Sequence, residues 1–141
     1  MNVNYKRSSI TCIVFGILFF YLIIHFAVIG PLEFQSERIH MVIAAAVIIV
    51  AMASFAIMLL LTNKKDKVFD ERDSLIQKQS SMIGLMLTGI FVFLFSIILF
   101  INYQDRGVLE VSWLWLIAYT TFSFSYFITS LISVYLYIRD E

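Results

Sequence analysis

The residues of this chain that are able to do chemistry are few, and they fall into four groups. Asp70, Glu71, Arg72 and Asp73 make the one acid-rich set, directly ahead of a long apolar stretch. Glu33, Glu37 and His40 stand at i, i+4 and i+7, a spacing that on one helix would bring three divalent-cation donors together. His25 stands inside an apolar run with Tyr21 one turn before it. Tyr119, Ser123, Tyr126, Ser130, Ser133 and Tyr137 recur at steps of four and three, which draws a narrow stripe of hydroxyls along one helix. No group amounts to a catalytic constellation. The acid-rich set has no second set of His, Asp, Glu or Arg to face it, and His25 has no evident relay partner. Glu33, Glu37 and His40 are too few and too unsupported for a specific metal centre, so a solvated face is the simpler reading. The expectation is a protein that is not an enzyme, with no catalytic, cofactor-binding or metal-binding residues.

The elements that must position these residues are set by four apolar stretches, 10–29, 41–61, 82–101 and 113–138, none containing Asp, Glu, Lys or Arg. About 20 such residues cross a bilayer, where each backbone N–H and C=O must find its partner inside its own helix. The predicted fold is an all-α membrane protein: one domain over residues 1–141, with four transmembrane helices in an up-down-up-down bundle and a cytoplasmic connection over 62–81. Ten basic and ten acidic residues cancel, yet their placement is uneven. Lys6, Arg7, Lys64, Lys65, Lys67, Arg72, Lys78 and Arg139 lie on one side of that topology, and only Arg38 and Arg106 on the other. Basic residues mark the cytoplasmic side, so both termini are expected inside, with Trp113 and Trp115 at the outer interface. Richness in Ile and Phe fits an AT-rich bacterial genome, and a bacterial cytoplasmic membrane is the expected location. The first span is too long for a cleaved signal and is expected to stay as an anchor.

Several membrane classes are disfavoured on composition. A single cysteine, Cys12, has no partner in the chain, which excludes folds whose work depends on cysteine pairs, such as four-helix quinone-linked thiol oxidases. Two histidines are too few for a bis-haem cytochrome, and the spans lack the buried carboxylate of a small proton-coupled exporter. Within the spans, Ala44 with Ala51 and Ala46 with Ala53 stand seven apart, a spacing for close left-handed packing. Pro31 ends the first helix and can start a short second one. Asp70 and Asp73 ahead of an apolar run read as a helix start, so the third span is expected to begin in the cytosol. On that helix Asp70, Asp73, Gln77, Ser81, Gly84 and Thr88 share one face. The hydroxyl stripe has two readings, hydrogen bonding between helices or a lining for a small solute. His25 is either a structural histidine or an intramembrane relay.

The run FDERDSLIQKQSS and the span it leads into, Val68 to about Val92, resemble the Asp-Glu-Arg signature of an uncharacterised family of small prokaryotic four-span membrane proteins. The resemblance implies a four-helix membrane domain without known enzymatic activity, often in genomic company with small helix-turn-helix regulators, and it carries over to Asp70, Glu71, Arg72 and Ile76. Together with the charge pattern it makes Asp70, Glu71, Arg72, Asp73, Ile76 and Gln77 the candidate docking surface for a cytosolic regulator or a larger membrane complex. The expected partners are the lipid bilayer and a protein on the cytoplasmic side or a second copy of the chain, with no direct nucleic-acid contact. The alternative is small-solute transport or antimicrobial-peptide immunity by an oligomer that uses His25 and the stripe Tyr119, Ser123, Tyr126, Ser130, Ser133 and Tyr137.

Overall fold

A computed structural model describes residues 3–63 and 71–139. The chain is helical throughout most of these segments: α1 (Val3–Ile29), α2 (Pro31–Ser36), α3 (Arg38–Asn63), α4 (Glu71–Tyr103) and α5 (Val111–Arg139). Four of the helices, all but α2, are long and apolar enough to cross a membrane. Each extends beyond its apolar stretch. The first begins at Val3 instead of residue 10, and residues 71–81 of the expected connection are the first turns of α4. Asp70, Lys64, Lys65 and Lys67 lie outside the described residues.

The inside and the outside of α1 differ little in chemistry. Phe15, Leu18, Leu22 and Phe26 are buried, while Ile13, Ile17, Phe20 and Ile24 are exposed on the other side. A helix apolar on every side suits a solvent that is itself apolar. The hydrophobic effect then cannot choose which face packs, and shape and polar contacts decide.

The helices line up in the order α3, α1, α5, α4. The main packing partner of α1 is α5, α4 leans on the other side of α5, and α3 leans on α1. The α1–α5 seam is antiparallel and largely aromatic. Ser8 meets Ser133 at one end, Phe15 stacks on Tyr126 at 4.7 Å midway, and Phe26 packs on Trp113 at 5.0 Å at the other end. On α3, Ala44, Ala51 and Met58 form a buried line at seven-residue steps, whereas Ala46 and Ala53 are not buried. Only one of the two alanine pairs is therefore used in the core.

Between α1 and α2 the chain turns at Gly30, whose φ of 85° lies in the left-handed region that glycine adopts without strain. Pro31 opens α2 and folds Phe34 back under the bundle, against Phe26 and Trp115. At the turn after α4, the Trp113 indole N–H donates to the Tyr103 hydroxyl at 2.8 Å.

The buried face of α4 is largely small and polar, with Asp73, Ser80, Gly84 and Thr88 beside Ile76 and Leu99. Ser80, Gly84 and Thr88 at four-residue steps form a ridge low enough for α5 to approach closely. A methyl group on Gly84 would lie 3.1 Å from the backbone Cα of Thr129 and closer still to its side chain. Gly84→Ala is expected to cost about 1–3 kcal/mol by overpacking, and adding Thr129→Ala should recover part of the loss. Gly89, with open space where a methyl would go, is the control: Gly89→Ala should be neutral or slightly stabilising. Unfolding in mixed micelles measures all three variants, and equal stability of Gly84→Ala and Gly89→Ala would refute the close approach.

Candidate functional site

The polar residues converge where the start of α1, the start of α4 and the end of α5 meet. Helix α4 begins with Glu71 and Asp73 in its first turn, where carboxylates complement the helix dipole. Asp73, however, faces inward and is only 5% exposed. One of its oxygens accepts the Asn4 side-chain amide at 2.8 Å, and the other accepts the Tyr137 hydroxyl at 2.8 Å. One carboxylate thus ties three helices together. Beside it, Ile76 packs with Leu136 and Tyr137, and Tyr5 sets its ring edge-on to Tyr137.

Next to this clamp lies a partly open cavity of about 210 Å³. Helix α1 contributes Asn4, Arg7, Ser8 and Thr11 to its wall, α4 contributes Asp73, Gln77, Ser80 and Ser81, and α3 contributes Phe55 and Leu59. From α5 come Tyr126, Thr129, Ser130, Ser133 and Tyr137. The Ser8 and Ser133 hydroxyls hydrogen-bond across the α1–α5 seam at 2.9 Å. Thr11 returns its hydroxyl to the Arg7 carbonyl at 2.9 Å.

Comparison of the chain with protein-family models, with curated proteins and with solved structures finds no match in any of the three.

The hydroxyl-bearing side of α5 is the side turned towards the other helices. Ser123, Ser130, Ser133 and Tyr137 are buried and Tyr119 is half-buried, while Tyr126 is 38% exposed on the cavity wall. The Ser123 hydroxyl donates within its own helix, to the Tyr119 carbonyl at 2.8 Å. The candidate docking residues separate into two sets. Glu71 and Arg72 face outward, and Gln77 is exposed on the cavity rim. Asp73 and Ile76 are buried against the neighbouring helices and hold the helix start in place; Asp73 reaches the cavity wall, and Ile76 forms the floor of the groove between Glu71, Arg72 and Leu75.

His25 lies apart, at the opposite end of α1. Its ring stacks on Tyr21 at 5.3 Å and stands 5.6 Å from that of His40. The buried His25 Nε2 and His40 Nδ1 have no hydrogen-bond partner among the described residues. Glu33, Glu37 and His40 do not share a helix, because α2 ends at Ser36 and Glu37 is extended before α3 starts at Arg38. His40 pairs instead with Glu37 at 3.4 Å, and no group of three acids, histidines or cysteines among the described residues is placed to hold a metal ion.

Asn4, Ser8, Thr11 and Ser80 belong to the site without having stood out in the sequence. The signal was present in α1, where Asn4, Ser8 and Thr11 stand at i, i+4 and i+7, the same spacing that marks the stripe on α5.

The clamp has a measurable energetic signature. Asp73→Ala would leave the Asn4 amide and the buried Tyr137 hydroxyl without their acceptor, at a cost of about 1–3 kcal/mol. Tyr137→Phe should cost less, because Asn4 still serves the carboxylate. The double variant should cost less than the sum of the two single ones, as shared partners require. Thermal unfolding in detergent supplies the cycle, and strict additivity would show that the bond carries no energy.

Proposed function

We propose that this protein is a non-enzymatic interaction protein of a bacterial cytoplasmic membrane, an up-down-up-down bundle with both termini inside. In this reading the cytoplasmic start of α4 docks a protein partner. The observation that carries it is the division of labour along that helix start. Asp73 and Ile76 fasten one side of it to α1 and α5. The opposite side turns Glu71, Arg72, Leu75, Lys78, Gln79 and Met82 outward around a shallow groove. Leu75 is 67% exposed among those charges. An apolar centre with a charged rim on a held helix is the composition of a recognition surface: burial gives affinity, and the rim charges set specificity. The resemblance at Val68 to Val92, with its Asp-Glu-Arg signature and its association with small regulators, supports a cytosolic regulatory protein as the partner. The placement of eight of the ten basic residues on one side supports the orientation.

Two experiments check this reading. Affinity purification of the tagged protein from native membranes should recover a stoichiometric partner. The triple variant Glu71→Lys, Arg72→Glu, Lys78→Glu should lose that partner while inserting normally, and undiminished co-purification would remove α4 as the docking element. Reporter fusions test the orientation: a phosphatase joined after Gln104 should be active, and one joined after Arg139 inactive. The reverse pattern would place the start of α4 outside and end the proposal of a cytosolic partner.

A further inference from the structure

We infer that His25 and His40 form an open two-nitrogen site for a divalent transition-metal ion of the zinc type, which would join the end of α1 to the start of α3. The two rings come from different helices, and their centres stand 5.6 Å apart with the planes at 61°. Two imidazoles that share one tetrahedral zinc ion, each at a Zn–N distance of about 2.0–2.1 Å, have ring centres about 5–5.5 Å apart. The separation in this chain is therefore close to the one an ion would set. The histidine χ2 torsion is broad, so rotation of the rings can bring one nitrogen of each onto a shared ion without moving either helix.

Each ring holds a nitrogen for that role. His25 Nε2 and His40 Nδ1 are buried, and neither has a hydrogen-bond partner among the described residues. On the other side of the His40 ring, the Glu37 carboxylate stands 3.4 Å from Nε2. A carboxylate there keeps the ring proton on Nε2 and leaves a lone pair on Nδ1, the arrangement that orients metal-ligating histidines and raises their basicity. With the His25 proton on its own Nδ1, two lone pairs come side by side. They cannot hydrogen-bond to each other, and one cation satisfies both. The neighbours hold the rings in place: Tyr21 stacks on His25 at 5.3 Å, and Phe34 meets His25 edge-on at 6.3 Å. The backbone N–H of His40 donates to the Glu37 carbonyl at 3.2 Å, which keeps carboxylate and ring on one turn. Imidazole nitrogen suits Zn²⁺, Ni²⁺ or Cu²⁺, whereas Mg²⁺ and Ca²⁺ take oxygen. Two protein ligands leave the remaining positions to water or to a ligand from outside. The pair lies at the end of α1 opposite Asn4 and the clamp, so the site stands independently of the docking surface on α4.

The test uses the full-length protein in detergent, freed of any affinity tag and stripped of metal with a chelator that is then removed. Equilibrium dialysis against Zn²⁺ in excess Mg²⁺, followed by elemental analysis, gives the stoichiometry and affinity. One zinc ion per chain is expected. His25→Phe, which keeps a ring against Tyr21, and His40→Phe should each remove most of this binding. Glu37→Gln should retain the stoichiometry and weaken binding about tenfold, as loss of the carboxylate behind a ligating histidine does. Glu33→Gln, at an exposed acid one turn before Glu37, should leave it unchanged. X-ray absorption at the zinc edge reads the ligands in the unaltered protein, so the outcome does not hang on the folding of any variant: two imidazole nitrogens at about 2.0–2.1 Å are expected. A shell of oxygens alone, equal competition by Mg²⁺, or undiminished uptake by the double variant His25→Phe, His40→Phe would overturn the inference, as would the absence of saturable zinc binding.

Discussion

The α1–α5 seam is the constraint on which the rest of the bundle depends. Water rewards apolar burial in a soluble protein, but between helices in hydrocarbon that reward is nearly absent, and interlocking shape with a few polar bonds must take its place. Phe15 buried between Tyr126, Phe122 and Phe55 supplies the shape. The Ser8–Ser133 bond fixes register at one end. The other two spanning helices are positioned by this pair: α3 through its Ala44, Ala51 and Met58 line, and α4 through its ridge of small residues.

Asp73 carries the polar logic of the site. A carboxylate so nearly buried must have its oxygens satisfied, and Asn4 and Tyr137 supply donors from helices on two sides. The consequence runs in both directions along α4. Towards water, the clamp keeps Glu71 and Arg72 on the outer side of the helix. Towards the membrane, it aims Ser80 and Gly84 at α5 and leaves a polar space between the helices. The same side chain thereby separates an outward surface from an inward cavity.

The four spans were legible in the sequence because an uninterrupted apolar run of some 20 residues is at home in hydrocarbon and in few places besides. The start of α4 was legible from Asp73 and its neighbours, and the turn into α2 from Pro31. Pairing among the helices was not legible. Ile17 faces outward and Leu18 inward, and nothing in their chemistry distinguishes the two positions. Hydroxyl spacing identified the inward side of α5 because an apolar solvent does not reward exposed hydroxyls. The first seven residues of α1 lie ahead of its apolar stretch, and the steps linking Asn4, Ser8 and Thr11 acquire meaning only once Asp73 and Ser133 are known to lie beside them. The spacing of Glu33, Glu37 and His40 carries no structural meaning for the opposite reason: helical spacing counts only where the helix is continuous, and it is interrupted at Glu37.

The partnership of α1 with α5 has a consequence for how the protein is made. Phe15 waits for Tyr126, which lies 111 positions later in the chain. At about 5–20 residues per second, translation leaves α1 in the membrane for roughly 6–22 s before its main partner emerges. During that interval α3 and then α4 join it, and of these α3 packs more extensively on α1. The final seam can close only when the last helix arrives.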